Sequence, residues 1–194
     1  MAVVIKGAVS LRAISSLFSL ERAFAYDIDP SRAEHFANEL SRELKIEVKA
    51  VAAINEAMNE ADICVTCTPS KHFYLKRNCV QPGTFIAAVG ADSEDKQELE
   101  PTLLVDNKVV VDILEQCATI GELHQGLEQN VVTRNDVYAE LGEVVAGIKQ
   151  GRTSSEEIII FDSTGMALQD VVSAAAVYEK AISIGTGTFV NLAE

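Results

Sequence analysis

MAVVIKGAVSLRAI (residues 1–14), followed by FAYDIDP (residues 24–30), decides how the rest of this chain is read. AVVI (2–5) is a short β-rich run. Gly7 follows it, and Ile14, Leu17 and Phe18 then recur at helical spacing. Strand, glycine, helix, strand is the order of a dinucleotide-binding unit. Its fingerprint uses three glycines: one for a tight turn, one for close approach to a pyrophosphate, one for helix–strand packing. Here Gly7 stands alone, with Ala8 as a small substitute and bulky Leu11 where the helix approaches the sheet.

The acidic half of the fingerprint is better kept. Asp27 lies twenty residues after Gly7, at the end of the second strand, FAYDI (24–28). A carboxylate there accepts hydrogen bonds from the adenosine ribose and repels a 2′-phosphate, so it favours NAD over NADP. Spacing alone supports a ribose ligand and an ordinary turn residue equally. Asp29 reads as the N-cap of a helix over Ser31–Leu44, with Pro30 in its first position.

Working outward, apolar runs alternate with helical patterns. IEVKAV (46–51), ADICVTC (61–67), TFIAAVG (84–90), KVVVDIL (108–114) and EIIIFD (157–162) read as strands, and Ala52–Glu60 as a short helix. Continuous Val/Ile/Ala runs, rather than alternating ones, predict a parallel sheet covered on both faces. The fold class is therefore α/β, a doubly wound parallel sheet flanked by helices, with ligands at the carboxyl ends of the strands. In the second half, Val137, Leu141, Val144, Val145 and Ile148 predict one face of a helix ending at Gly151. Leu168, Val171, Val172 and Ala175 predict the core face of another. No repeat or linker interrupts the chain, so residues 1–194 read as one domain.

The composition excludes several classes. The 194 residues are 48% apolar and 23% charged, with a net charge of −13. A polyanion of this kind is repelled by nucleic acid and anionic membranes, and no apolar run is long enough to span a bilayer. No secretory signal pattern opens the chain. Four cysteines, at 64, 67, 79 and 117, suit a reducing, cytoplasmic setting better than a disulfide framework. Cys64 and Cys67 form a CxxC, but within a buried apolar run and with no second pair at zinc spacing, so no metal site is expected. His35, His72 and His124 fall in separate segments and suggest no triad.

Two polar turns follow buried strands. GADSEDKQELEP (90–101) places Asp92 beyond a strand's carboxyl end, where a carboxylate can take a proton from an amine, with Lys96 four residues on as its partner or a phosphate ligand. The same stretch also reads as a solvated acidic loop capping a helix that starts near Glu94. FDSTG (161–165) offers Ser163 and Thr164 as ligand contacts or as caps of the next helix.

VTCTPS (65–70), GTFIAAVGADSEDKQELEP (83–101), VDILEQCATIGEL (111–123), YAELGEVVAGIKQGR (138–152), EIIIFDSTGMALQDVVSAAAVYEKA (157–181) and GTGTF (185–189) occur in the order and spacing of the ornithine cyclodeaminase/μ-crystallin family. From about Tyr26 onward the chain resembles that family. The resemblance implies a Rossmann-like NAD-binding domain and amino- or imino-acid chemistry by hydride transfer at Cα. The types implied are ornithine cyclodeaminase, alanine dehydrogenase, and ketimine or pyrroline-carboxylate reductase. It makes Asp92 the catalytic acid/base and a contact of the substrate amine, and places Thr164 towards the substrate. Asp27, Thr66, Ile86, Ala87, Ala88, Val89, Lys96 and Ser163, together with Gly7 of the opening turn, become cofactor contacts. It further implies a homodimer and a substrate domain ahead of this region. The family pattern at the opening turn is close to GAGxQA, whereas this chain has KGAVSL. That departure, and the start of the chain at the first strand, leave a second expectation beside the enzyme: a non-catalytic cofactor- or ligand-binding remnant.

Overall fold

A computed structural model describes residues 5–190. The expected strand AVVI lies outside the described residues except for Ile5, which opens α1 (Ile5–Leu17). After it come β1 (Arg22–Ala25), α2 (Pro30–Leu44), β2 (Glu47–Ala50), α3 (Ile54–Met58), β3 (Ile63–Thr66) and β4 (Phe85–Ala88). The order continues with β5 (Lys108–Val111), α4 (Leu114–Ile120), α5 (Glu122–Glu128), β6 (Ala139–Glu140), α6 (Leu141–Val145), β7 (Ile159–Asp162) and α7 (Ala167–Ser183).

The strands pair in parallel throughout the described residues. β1 and β2 form one sheet, and five strands in the order β3-β4-β7-β5-β6 form another. The last long strand, β7, enters the middle of its sheet. Its Ile159 and Ile160 are buried, as are Val109 and Val111 beside it in β5, so apolar side chains on both faces suit a central position. Helices between successive parallel strands make this the Rossmann-like α/β arrangement expected from the sequence.

Local rules explain α2. The Asp29 side chain accepts a hydrogen bond from the Ser31 N–H at 3.0 Å, Pro30 occupies the first turn, and Lys45 closes the helix in the left-handed conformation. Ala33, Phe36, Ala37 and Leu40 recur at helical spacing and pack with Leu11, Ala25 and Val48 in one core. A second core, around Leu75, Ile86, Leu99, Leu103, Val111 and Ile160, supports the larger sheet. Between β1 and β3 lies a cavity of about 540 Å³, lined among others by Leu11, Ile14, Phe18, Ala23, Met58 and Val65.

Several expectations change. The KGAVSL stretch is helical: Gly7 lies inside α1 and is absent from the glycines with positive φ. One glycine costs a helix only about 1 kcal/mol, and its neighbours Lys6, Ala8 and Leu11 are good helix formers. The helix expected to reach Gly151 stops at Val145. Gly142 weakens it and Gly147, at φ +73°, turns the chain away, leaving Val145 and Ile148 exposed. No helix starts near Glu94; residues 93–96 form a turn closed by the Lys96 N–H on the Ser93 carbonyl.

The chain divides into two compact units, Met1–Thr164 and Gly165–Glu194. The second is α7 with a short tail, and none of the residues of α7 is buried. Leu168, Val171 and Val172, expected to face a core, are exposed. A single Ala-rich helix forms on propensity but has no second layer in its own unit to pack against. Among the described residues no helix is long and apolar enough to cross a membrane.

Candidate functional site

Register builds the site. Thr66 pairs with Ala88, Ala88 with Asp162, and Asp162 with Val111, so four strands end in one row. The pairing continues one step beyond: Val89 N–H to Thr66 carbonyl at 2.9 Å, Ser163 N–H to Ala88 carbonyl at 2.9 Å, Asp112 N–H to Asp162 carbonyl at 3.2 Å. Loops far apart in sequence therefore leave the sheet side by side at its carboxyl edge, where ligands of such folds sit.

On this edge the structure gathers Thr66, Ala88, Val89, Asp92, Lys96, Ser163 and Thr164. Ile86 and Ala88 are buried in the core, Ala87 and Val89 partly so. Asp92 is exposed and its carboxylate pairs with the Lys96 ammonium. Thr66 is 1% exposed, and among the described residues its hydroxyl has no hydrogen-bond partner. A buried hydroxyl without a partner is costly, and one at the rim of a ligand crevice fits a donor or acceptor for a bound group.

Asp112, at the end of β5, organises the turn after β7. Its Oδ2 accepts the Thr164 N–H at 2.9 Å and the Ser163 hydroxyl at 3.2 Å. Its Oδ1 accepts the Ile113 N–H at 2.8 Å and the Cys117 thiol at 3.0 Å. Gln116 donates from Nε2 to the Thr164 hydroxyl at 2.8 Å. Burial and the neighbouring Asp162 and Asp112 carboxylates push the Cys117 thiol well up, so it stays protonated.

Three more carboxylates are almost wholly buried: Glu98, Glu122 and Asp162. Burial raises Asp162 to about 7 against the lowering effect of the Leu123 and Glu122 N–H groups, and burial raises Glu122 well above the usual carboxyl range. The sequence reading singled out none of these acids, nor Asp112. A signal was present for two of them: VVVD and IIIFD each end an apolar strand with an acid.

Gly7 and Asp27 stand elsewhere. Gly7 is inside α1, and Asp27 follows β1 in the two-stranded sheet, where it accepts the Asp29 N–H at 2.9 Å. All four cysteines are buried and none forms a disulfide. Among the described residues no group of three or more His, Cys, Asp or Glu is placed to hold a metal ion.

The ornithine cyclodeaminase/mu-crystallin family model matches residues 1–185, the opening stretch included. The chain belongs to this family. It is 41% identical over 181 residues to an alanine dehydrogenase of Archaeoglobus fulgidus, covering 92% of this chain and 54% of that protein. In structure it resembles the Δ1-pyrroline-2-carboxylate reductase of Thermococcus litoralis in complex with NADH and L-proline. The TM-score is 0.94 and the identity 34%, over 97% of this chain and 59% of that one. It also resembles an archaeal alanine dehydrogenase dimer with bound NAD, with a TM-score of 0.92 and 39% identity over 98% of this chain and 59% of that one. The chain spans about half the length of the curated relatives it matches.

Proposed function

We propose that this chain is the NAD-binding part of an oxidoreductase or cyclodeaminase acting on an amino or imino acid. The observation that supports this reading is that Thr66, Ser163 and Thr164 stand at one carboxyl edge of a parallel sheet, with the Asp92–Lys96 pair on the loop that leaves β4 at the same edge. The dinucleotide fits the residues present: the unpartnered Thr66 hydroxyl and the backbone of Ala88 and Val89 line the strand ends, and Asp27 offers a ribose acceptor. When bound, the dinucleotide would supply a hydride donor or acceptor for the substrate Cα. Asp92 takes the proton from the substrate amine as the C=N bond forms and returns it in the reverse direction. Lys96 holds the Asp92 carboxylate in place. Asp112 accepts the Thr164 N–H and so fixes the turn from which the Thr164 side chain faces the substrate.

Names of the relatives support alanine, proline and their imino counterparts as the substrate class, and the dimer among the solved relatives supports a homodimer. Four buried cysteines without a disulfide support a reducing, cytoplasmic setting. A second reading is a non-catalytic remnant with a weakened cofactor grip: the helical course of KGAVSL leaves no tight glycine turn there to receive a pyrophosphate.

Calorimetric titration of the purified chain with NADH, with NADPH in parallel, tests the proposal. Saturable binding that prefers NADH is the expected result, followed by oxidation of NADH on adding pyrroline-2-carboxylate. Binding without turnover selects the second reading. No binding at millimolar cofactor overturns both.

A further inference from the structure

The Glu98 side chain is fully buried, yet among the described residues no ion pair involves it. Its carboxylate instead draws on three donors from two separate loops. Oε1 accepts the Thr68 N–H at 2.5 Å and the Tyr74 hydroxyl at 2.8 Å, and Oε2 accepts the Gly90 N–H at 3.1 Å. Thr68 lies two residues beyond the end of β3, and Gly90 two residues beyond the end of β4. Backbone pairing between these strands ends with Val89 on Thr66. Beyond that point the Glu98 carboxylate joins the two diverging chains next to the strand ends, and the Gln97 N–H on the Ser70 carbonyl and the Lys71–Asp95 ion pair join them further out.

The glycine at 90 has a matching cause. A Cβ built there would stand 2.3 Å from Glu98 Oε2. No positive φ demands glycine, so the carboxylate's seat is what excludes a side chain. Asp162 repeats the arrangement: it accepts two N–H groups at the start of α5, and a Cβ on Gly121 would stand 2.5 Å from its Oδ2.

Glu98 is itself held on both sides. Its N–H and that of Leu99 donate to the Glu122 carboxylate at 2.7 and 3.1 Å, and its carbonyl accepts from Tyr74 and Leu75, both at 3.0 Å. The Glu122 and Leu123 N–H groups donate in turn to Asp162, at 3.2 and 2.9 Å. Three carboxylates, each seated on two amides, thus tie the chain after β3, the chain after β4 and the end of β7 into one assembly. Buried, mutually satisfied hydrogen bonds of this kind are rigid, and they fix backbone where secondary structure has stopped.

We infer that Glu98 is a positioning residue: its carboxylate clamps the chain after β3 to the chain after β4 and so sets where Asp92 stands on the carboxyl edge of the sheet. The inference rests on the proposed function, because it assigns the clamp to the end of the site at which the nicotinamide and the amino acid meet. A residue that merely stabilised the fold would weaken every ligand alike. The clamp acts on one end of the dinucleotide.

The test uses the full chain as wild type, Glu98→Gln and Tyr74→Phe, with NMR amide exchange and calorimetric titration of NADH and of ADP-ribose, which lacks the nicotinamide. A glutamine must turn its NH2 towards one of the donors, so at least one of the Thr68 and Gly90 amides loses its acceptor. That amide is expected to exchange about tenfold faster or more, while Val109 and Ile160 in the central strands keep their protection. The NADH affinity is expected to fall about tenfold, the scale of one lost charge-assisted hydrogen bond, with ADP-ribose unchanged. Unchanged exchange at both amides, or an equal loss for NADH and ADP-ribose, overturns the inference. If Glu98→Gln does not fold, Tyr74→Phe decides: it leaves Thr68 alone on Oε1, so its amide resonance must move while that of Gly90 stays, and a silent Thr68 overturns the clamp. If wild type binds neither ligand, the cofactor reading falls by itself, and the exchange data still decide whether Glu98 joins the two loops.

Discussion

Thr164 donates its backbone N–H to the Asp112 carboxylate at 2.9 Å, across 52 residues of sequence. The bond ties the turn after β7 to the end of β5, and the Ser163 and Cys117 side chains lean on the same carboxylate. Asp112→Ala strands these donors without an acceptor. Loss of a buried charged partner of this kind is expected to lower the unfolding free energy by about 2–4 kcal/mol. Urea denaturation measures it, and an alanine variant as stable as wild type would contradict the role given to Asp112.

Asp92 and Lys96 behave in the opposite way. Their ion pair is solvent-accessible, with side chains 38% and 26% exposed, so Asp92→Asn is expected to change stability by less than about 1 kcal/mol. Wherever the protein reduces an imino acid, the same variant is expected to lower kcat by about 10²-fold or more with NADH binding kept within about threefold. A large loss of thermal stability would reassign Asp92 to the scaffold.

Asp27 sets the cofactor preference in this reading. Asp27→Ser removes the charge that repels a 2′-phosphate, and the NADH-over-NADPH preference is expected to narrow by about tenfold or more. Parallel titrations of the two cofactors check it; an unchanged ratio would place the ribose elsewhere.

Stability should fall as pH rises from about 4 to about 7. Asp162 is raised to about 7 and Glu122 well above its ordinary value, both chiefly by burial. Across that window the unfolded chain gives up these protons and the folded chain keeps them. The folded state then binds more protons, so the slope of unfolding free energy against pH is negative. Carboxylates lowered by hydrogen bonds, among them Asp29, Asp136 and Glu157 (only the last with a value, about 2), act oppositely but in another window. Their contribution is present above about pH 4 and is lost only as pH falls towards their folded values. Denaturation at a series of pH values from 4 to 8 measures the slope, and Asp162→Asn is expected to flatten it. A stability that climbs steadily from pH 4 to 7 would contradict the assignment.

The unit Gly165–Glu194 presents Leu168, Val171 and Val172 to solvent. Contiguous apolar surface of this kind drives association. Replacing the three by serine is expected to reduce self-association of the chain in sedimentation velocity, and an unchanged distribution of species would show that this stripe is not the cause.

Much of the fold is legible from local pattern. The apolar runs near residues 63, 85, 108 and 159 become strands because β-branched residues in unbroken runs suit a sheet buried on both faces. Asp29 and Pro30 start α2 for reasons contained within a few residues. The candidate site is legible in the same measure: Asp92, Lys96, Ser163 and Thr164 each follow such a run, and so emerge at the carboxyl edge. At two of the places where pattern misleads, a glycine is involved. Gly7 sits quietly inside α1, whereas Gly147 ends α6 early. A single glycine tolerates a helix or a turn, and the surrounding residues choose.

By itself, then, the sequence determined a parallel α/β sheet, its main strands and the loops that carry polar chemistry, because hydrophobic period and capping act over a few residues. Only the tertiary structure decided which acids go inside. Glu98, Glu122, Asp112 and Asp162 look like surface residues in the sequence. They are buried because amides 30, 24, 52 and 39 residues away, in that order, become available where strands and helices end. A buried carboxylate is stable only with such donors in place, and that match exists only once the chain has folded.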